Sequence, residues 1–196
     1  MSYASDREFT DYVHKTLALR EIYPKMDWIV QEVNHRMGKN IDINNAVDYM
    51  AVDSQRKLIT IQERFREVKY SQYSDFTFRY KRPENIHEER QLSEFFKLDA
   101  DFFIYGIIDV SKNNFEKAQR FVKYAVIDLK CLMTRVDDGT IVINENLHSI
   151  RCSRMGNTMH CPVNSNRDHS STFVPFDIII LGKIAPEVIQ YQEGFL

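Results

Sequence analysis

Hydrophobic and polar positions alternate most cleanly over residues 57–66, KLITIQERFR. Lys57, Ile59, Ile61, Glu63 and Phe65 fall on one face of an extended chain. Leu58, Thr60, Gln62, Arg64 and Arg66 fall on the other. A period of two predicts a strand with a core behind it and polar groups in front, with Glu63 interrupting the apolar face. The run before it, residues 46–52 (AVDYMAV), reads as a partly buried strand broken by Asp48. A polar turn near Ser54, Gln55 and Arg56 joins the two as an antiparallel pair, which sets Asp48 beside Gln62 and Arg64. Asp53 reads as a residue of that turn.

The rest of the chain supplies elements around this hairpin. Residues 5–20 carry helical spacing through Phe9, Val13 and Leu17, behind a capping signature of Ser5 and Glu8, and Pro24 stops the helix. Residues 27–33 fit a strand or a short helix, with strand favoured, and 38–45 form a loop. Strands are expected at 75–80, 99–109 and 124–129. Helices are expected at 84–97, whose acidic early turns suit the helix dipole, at 113–122 and at 130–136. A turn at Asp137–Gly139, a hairpin around 151–161, a polar loop at 164–171 and an apolar strand or helix at 173–181 complete the chain. Helices interspersed with strands predict an α/β layer fold around one mixed sheet. The length of 196 residues fits one domain, 1–196.

Composition narrows the function. The hydrophobic fraction of 43% supports a full core, and a formal net charge of −2 gives no global attraction to nucleic acid. A nucleic-acid site must therefore be local. The stretch 69–82 offers one, with Lys69 and Arg79 to neutralise phosphates and Tyr70, Tyr73 and Tyr80 to stack on bases. Three cysteines and a polar N-terminal stretch point to a reducing, cytoplasmic setting without a secretory leader. No run reaches the roughly 18 apolar residues of a membrane helix. His148, Cys152, His160 and Cys161 lack standard zinc spacing. His169 with Asp168 and Ser170 lacks a nucleophile elbow.

Asp48 followed by Gln62-Glu63-Arg64 resembles the PD-(D/E)xK nuclease superfamily, in the Gln-containing form of Mrr-like restriction domains. The resemblance implies a restriction-endonuclease-like core over about 5–130, a central mixed β-sheet flanked by helices, with 131–196 as a C-terminal extension. It implies a metal-dependent nuclease hydrolysing DNA phosphodiester bonds, compatible with a homodimer. Asp48, the Gln62 side-chain oxygen and the Glu63 backbone carbonyl would hold Mg²⁺ or Mn²⁺. Arg64 stands where the family has lysine. It cannot serve as a base, but it can stabilise charge on a phosphate. Glu8, Glu21 or Glu32 would add a helix-borne carboxylate. A one-residue slip of the strand would instead make Glu63 the functional acid. The departures at Gln62 and Arg64 support an alternative, a catalytically inactive nuclease-like subunit for nucleic-acid binding or assembly. The net charge supports a third, a structural protein with no nucleic-acid partner.

Overall fold

The computed structural model describes residues 3–31, 47–82, 85, 91–147 and 149–195. The first helix, α1 (Tyr3–Val13), runs on through a π-helical turn at His14–Ala18 and a last turn at Leu19–Glu21. It starts before Ser5, so the capping signature there does not mark its first turn. The π turn widens the helix locally. Two adjacent pairs around it, Val13–His14 and Leu17–Ala18, are buried.

Six strands form the central sheet: β1 (Ile29–Gln31), β2 (Tyr49–Val52), β3 (Leu58–Arg66), β5 (Phe102–Ile108), β6 (Phe121–Asp128) and β12 (Ile189–Glu193). They lie in the order β1-β2-β3-β5-β6-β12. β3 and β5 are parallel and every other neighbour is antiparallel. The sheet is therefore mixed, as the interspersed pattern of helices and strands predicts.

Two cores lie on its two faces. Ile59, Ile61 and Phe65 of β3 meet Phe9 and Val13 of α1 and Leu17 of the π-helical turn on one side. Phe103, Tyr105 and Ile107 of β5 face the other. That second face is covered by a three-stranded sheet made of β4 (Asp75–Arg79), β10 (Asn164–Ser165) and β11 (Thr172–Asp177). Phe76 of β4 stacks on Phe176 of β11 at 5.4 Å, and Phe78 packs on Phe103 at 4.7 Å. A further small sheet, β7 (Ile141–Asn144), β8 (Ser153–Met155) and β9 (Thr158–Pro162), adjoins it. So do α2 (Leu129–Asp137) and α3 (Ile178–Ile184), whose Leu132 and Leu181 join the same core.

β6 and β11 each end on an aspartate that caps the following helix. Asp128 accepts from the Cys131 N–H at 2.8 Å, and Asp177 accepts from the Ile180 N–H at 2.9 Å. A short acceptor at the strand–helix junction satisfies donors that the helix leaves unpaired. The apolar run 173–181 is thus both a strand and a helix, divided at Asp177.

One expected helix, and the described part of a second, take another form. The described part of 84–97 holds one 3₁₀ turn, Glu94–Lys97, behind an isolated bridge from Leu92 to Lys81. Residues 113–122 give a 3₁₀ segment, Lys112–Lys117, and then the start of β6. Among the described residues no helix is long and apolar enough to cross a membrane.

Gly106 sits where β5 passes under two rings. A Cβ there would stand 2.6 Å from Phe121 Cε1 and 3.1 Å from Phe65 Cδ1. Gly106→Ala is expected to cost about 1–3 kcal/mol through forced repacking. A lower urea midpoint with an unchanged slope would report it.

Candidate functional site

The β2–β3 turn fixes the register of the site. Asp53 Oδ1 accepts from the Gln55 and Lys57 amides at 2.9 and 2.8 Å, and Arg56 takes a left-handed φ of 63°. A side-chain acceptor that binds the backbone two and four residues on closes a tight polar turn. The pairing runs from Val52↔Leu58 to Tyr49↔Ile61.

Asp48 follows at the open end of this pair. Its N–H donates to Ile61 O at 2.9 Å, and its Oδ2 accepts from the Glu63 N–H at 2.8 Å. Asp48 therefore straddles Gln62. A backbone N–H in a strand points along the sheet, so the carboxylate lies near the sheet plane, between the two faces. Its charge reaches Arg64 on one face and Tyr23 and Tyr49 on the other. The N–H and C=O of one strand residue point to the same neighbour, so the Glu63 carbonyl is directed to the same open end.

Gln62 and Arg64 share a face, as alternation requires, and both are held by Glu94. Gln62 Nε2 donates to Glu94 Oε1 at 2.5 Å. One Arg64 Nη donates to both Glu94 oxygens, and the other to the Thr77 carbonyl. The Arg79 N–H adds a bond to Glu94 Oε2 at 3.1 Å. Burial works to raise the pKa of Glu94, but Arg64 and these donors hold it below the ordinary carboxylate value. Burial opposes the Arg64 charge, and Glu94 outweighs it. With the Gln62 amide nitrogen committed to a carboxylate, the amide orientation is settled. The other end, Gln62 Oε1, is buried and has no hydrogen-bond partner among the described residues.

Glu63 points the opposite way, into the helix-side core. Its side chain is fully buried, with His14 Nδ1 at 3.0 Å from both oxygens and the Tyr23 hydroxyl donating at 2.9 Å. His14 stacks on Tyr49 with ring centroids 3.6 Å apart. Burial, and then the Glu63 charge, push the Tyr23 phenol far up. This network accounts for an acidic residue on an otherwise apolar face. Glu63 can offer the Gln62 side only its backbone carbonyl.

The nucleic-acid candidates divide. Tyr70 and Tyr73 gather beyond the end of β3, 6.4 Å apart, with the Arg66 and Lys69 cations 5.3 and 5.2 Å from the Tyr70 ring. Lys69 pairs with Glu67, and Tyr73 is exposed. Arg79 is exposed on β4. Tyr80 is buried, its ring packed on Phe95 and Phe96 and its hydroxyl on Glu145 at 3.2 Å, so it belongs to the core. Arg64, Arg66, Arg79 and Arg82 crowd together. Burial and then Arg64 lower the pKa of Arg66, while partial desolvation and the neighbouring charges of Arg82, Arg64 and Arg66 lower that of Arg79. Among the described residues, Glu94 is the carboxylate ion-paired to this group, through Arg64.

Of the helix-borne carboxylates, Glu8 is exposed, Glu21 binds Arg20 and the Phe121 amide, and Glu32 lies outside the described residues. The helix carboxylate that bonds the hairpin is Asp11, which accepts from Tyr49 OH at 3.3 Å. Glu94 is the site residue that the sequence reading missed. It comes from the crossover between β3 and β5, and no local spacing ties it to Arg64. Asp168 Oδ1 binds the Ser170 amide and hydroxyl in a local turn. His148 lies outside the described residues.

Among the described residues no three His, Cys, Asp or Glu side chains stand together as a metal site. The oxygens that this stretch of the hairpin carries are the Asp48 carboxylate, the unpartnered Gln62 amide oxygen and the Glu63 backbone carbonyl. All are hard donors of the kind Mg²⁺ and Mn²⁺ take, and among the described residues Gln62 Oε1 is the buried side-chain oxygen left without a donor. Comparison of the chain with family models, curated proteins and solved structures finds no match.

Proposed function

We propose that this chain is a metal-assisted nuclease acting on DNA. The observation that carries the reading is Gln62 Oε1, a buried oxygen without a donor, on the residue that Asp48 straddles. A buried acceptor left unpaired costs about 1–3 kcal/mol, and a cation removes that cost. Asp48, Gln62 Oε1 and the Glu63 carbonyl would hold Mg²⁺ or Mn²⁺. When bound, the ion supplies an acidified water and a polarised phosphate. Arg64, steadied by Glu94 and Thr77, keeps its Nε–H and one Nη hydrogen for an anion. It stabilises charge and takes no proton. Arg66 and Arg79 extend the cationic surface along the backbone of the nucleic acid, and Tyr70 and Tyr73 offer ring faces to unpaired bases.

One observation favours a second reading. Glu94 satisfies both Arg64 and the Gln62 amide, which suits a nuclease-like subunit that binds nucleic acid or assembles without cutting it.

Cleavage of supercoiled and linear DNA with Mg²⁺ or Mn²⁺, against chelator, tests the first reading. Cutting that needs the metal and is lost in Asp48→Asn is expected. Retention of DNA without cutting, weakening steeply with salt, selects the second reading. Neither cutting nor retention at low salt rejects both.

A further inference from the structure

Cys152 and Cys161 occupy opposed positions on one hairpin. β8 and β9 pair as Met155↔Thr158, Arg154↔Met159 and Ser153↔His160. One more step of that register sets Cys152 against Cys161. Directly opposed residues have Cα atoms about 4.5–5.5 Å apart, inside the roughly 4.4–6.8 Å that a disulfide spans. The side chains already face each other, with Sγ atoms 3.8 Å apart. Both are thiols. Cys161 is buried in the core, and Cys152 is half-buried at the hairpin's open end.

We propose that Cys152 and Cys161 form a reversible disulfide, with Cys152 as the attacking thiol and a small-molecule disulfide as the oxidant. Cys152, as thiolate, attacks one sulfur of the small disulfide and expels a small thiolate, which takes up the proton that Cys152 lost. Cys161 then attacks the Cys152 sulfur of the mixed disulfide. The second small thiol leaves with the Cys161 proton. Two protein thiols are oxidised, and one small disulfide is reduced to two thiols.

The surroundings assign the order of attack. Cys161 is less accessible, and its hydrogen bond with Cys152 together with burial holds its thiol well above the ordinary range. It is the poorer first nucleophile and is already placed to resolve the adduct. Cys152 also donates to the Pro175 carbonyl at 3.2 Å. Pro175 pairs with Thr77, whose carbonyl takes Arg64. The bond would therefore form one strand away from the arginine cluster. Cys131, half-buried on α2 with its thiol raised by burial and Asp128, is the internal control.

The test incubates the full chain with oxidised and reduced glutathione at set ratios, traps free thiols by alkylation, and maps them by peptide mass. The expected product is a Cys152–Cys161 disulfide that reduction reverses, with Cys131 still alkylated. Cys161→Ala should instead accumulate a glutathione adduct on Cys152, and Cys152→Ala should leave Cys161 unmodified. Two free thiols in wild type at every ratio overturn the proposal. So does a stable Cys152 adduct in wild type that Cys161 never resolves. Neither depends on whether the chain cuts or binds DNA.

Discussion

Glu94→Ala is expected to lower the stability of the fold by about 3–5 kcal/mol, the cost of stranding one member of a buried ion pair. The side chains of Arg64 and Glu94 are only 24% and 12% exposed, so water can do little for the guanidinium left behind. The same change frees the Gln62 amide and the Arg79 N–H, which both bond Glu94. Urea unfolding measures the loss. The double variant Arg64→Met/Glu94→Leu should recover most of it, because an apolar pair of similar volume needs no solvation. A loss below about 1 kcal/mol in the single variant would mean that the pair is solvated. The pair also sets an acid limb. Glu94 titrates below its ordinary value of 4.5, so the unfolded chain takes up protons first as pH falls. Its contribution is whole above the unfolded value and is lost as pH drops through the folded one. Glu94→Gln should flatten that limb of the stability curve.

His14→Leu is expected to be of similar size, about 3–5 kcal/mol, because it leaves the buried Glu63 carboxylate with the Tyr23 hydroxyl as its side-chain partner among the described residues. The substitution also removes the stack on Tyr49. A double-mutant cycle with Glu63→Leu isolates the pair. The combined variant should lose much less than the sum of the single losses, giving a coupling of up to about 3 kcal/mol. Additive losses would show that His14 and Glu63 do not hold each other.

Much of the hairpin was legible in the sequence because its determinants are local. Strict alternation in KLITIQERFR marked β3 and its two faces, and Asp53 with its polar neighbours marked the turn. The order of helices and strands was enough to imply a mixed sheet. What could not be read were partnerships made across the chain. Glu63 is separated from His14 by 49 positions, and Glu94 from Arg64 by 30. Neither pair has a spacing that betrays it. The departures from helix at 113–122 and in the described part of 84–97 share another cause. Residues 84–97 and 113–122 are rich in helix-favouring charged residues, but propensity is a weak prior against tertiary pairing. Leu92 bridges to Lys81, and Phe121 opens a central strand. β12 went unnoticed because IQYQE is short and mostly exposed, and its place at the sheet edge is set by β6.

The position of β12 bears on how the molecule is made. Its five residues, Ile189–Glu193, are the last strand among the described residues and pair with β6, more than sixty positions earlier. During synthesis β6 can join β5 while its other margin stays bare. An open margin of this kind is a template for pairing with a neighbouring nascent chain. The growing polypeptide carries that hazard until the ribosome has delivered β12.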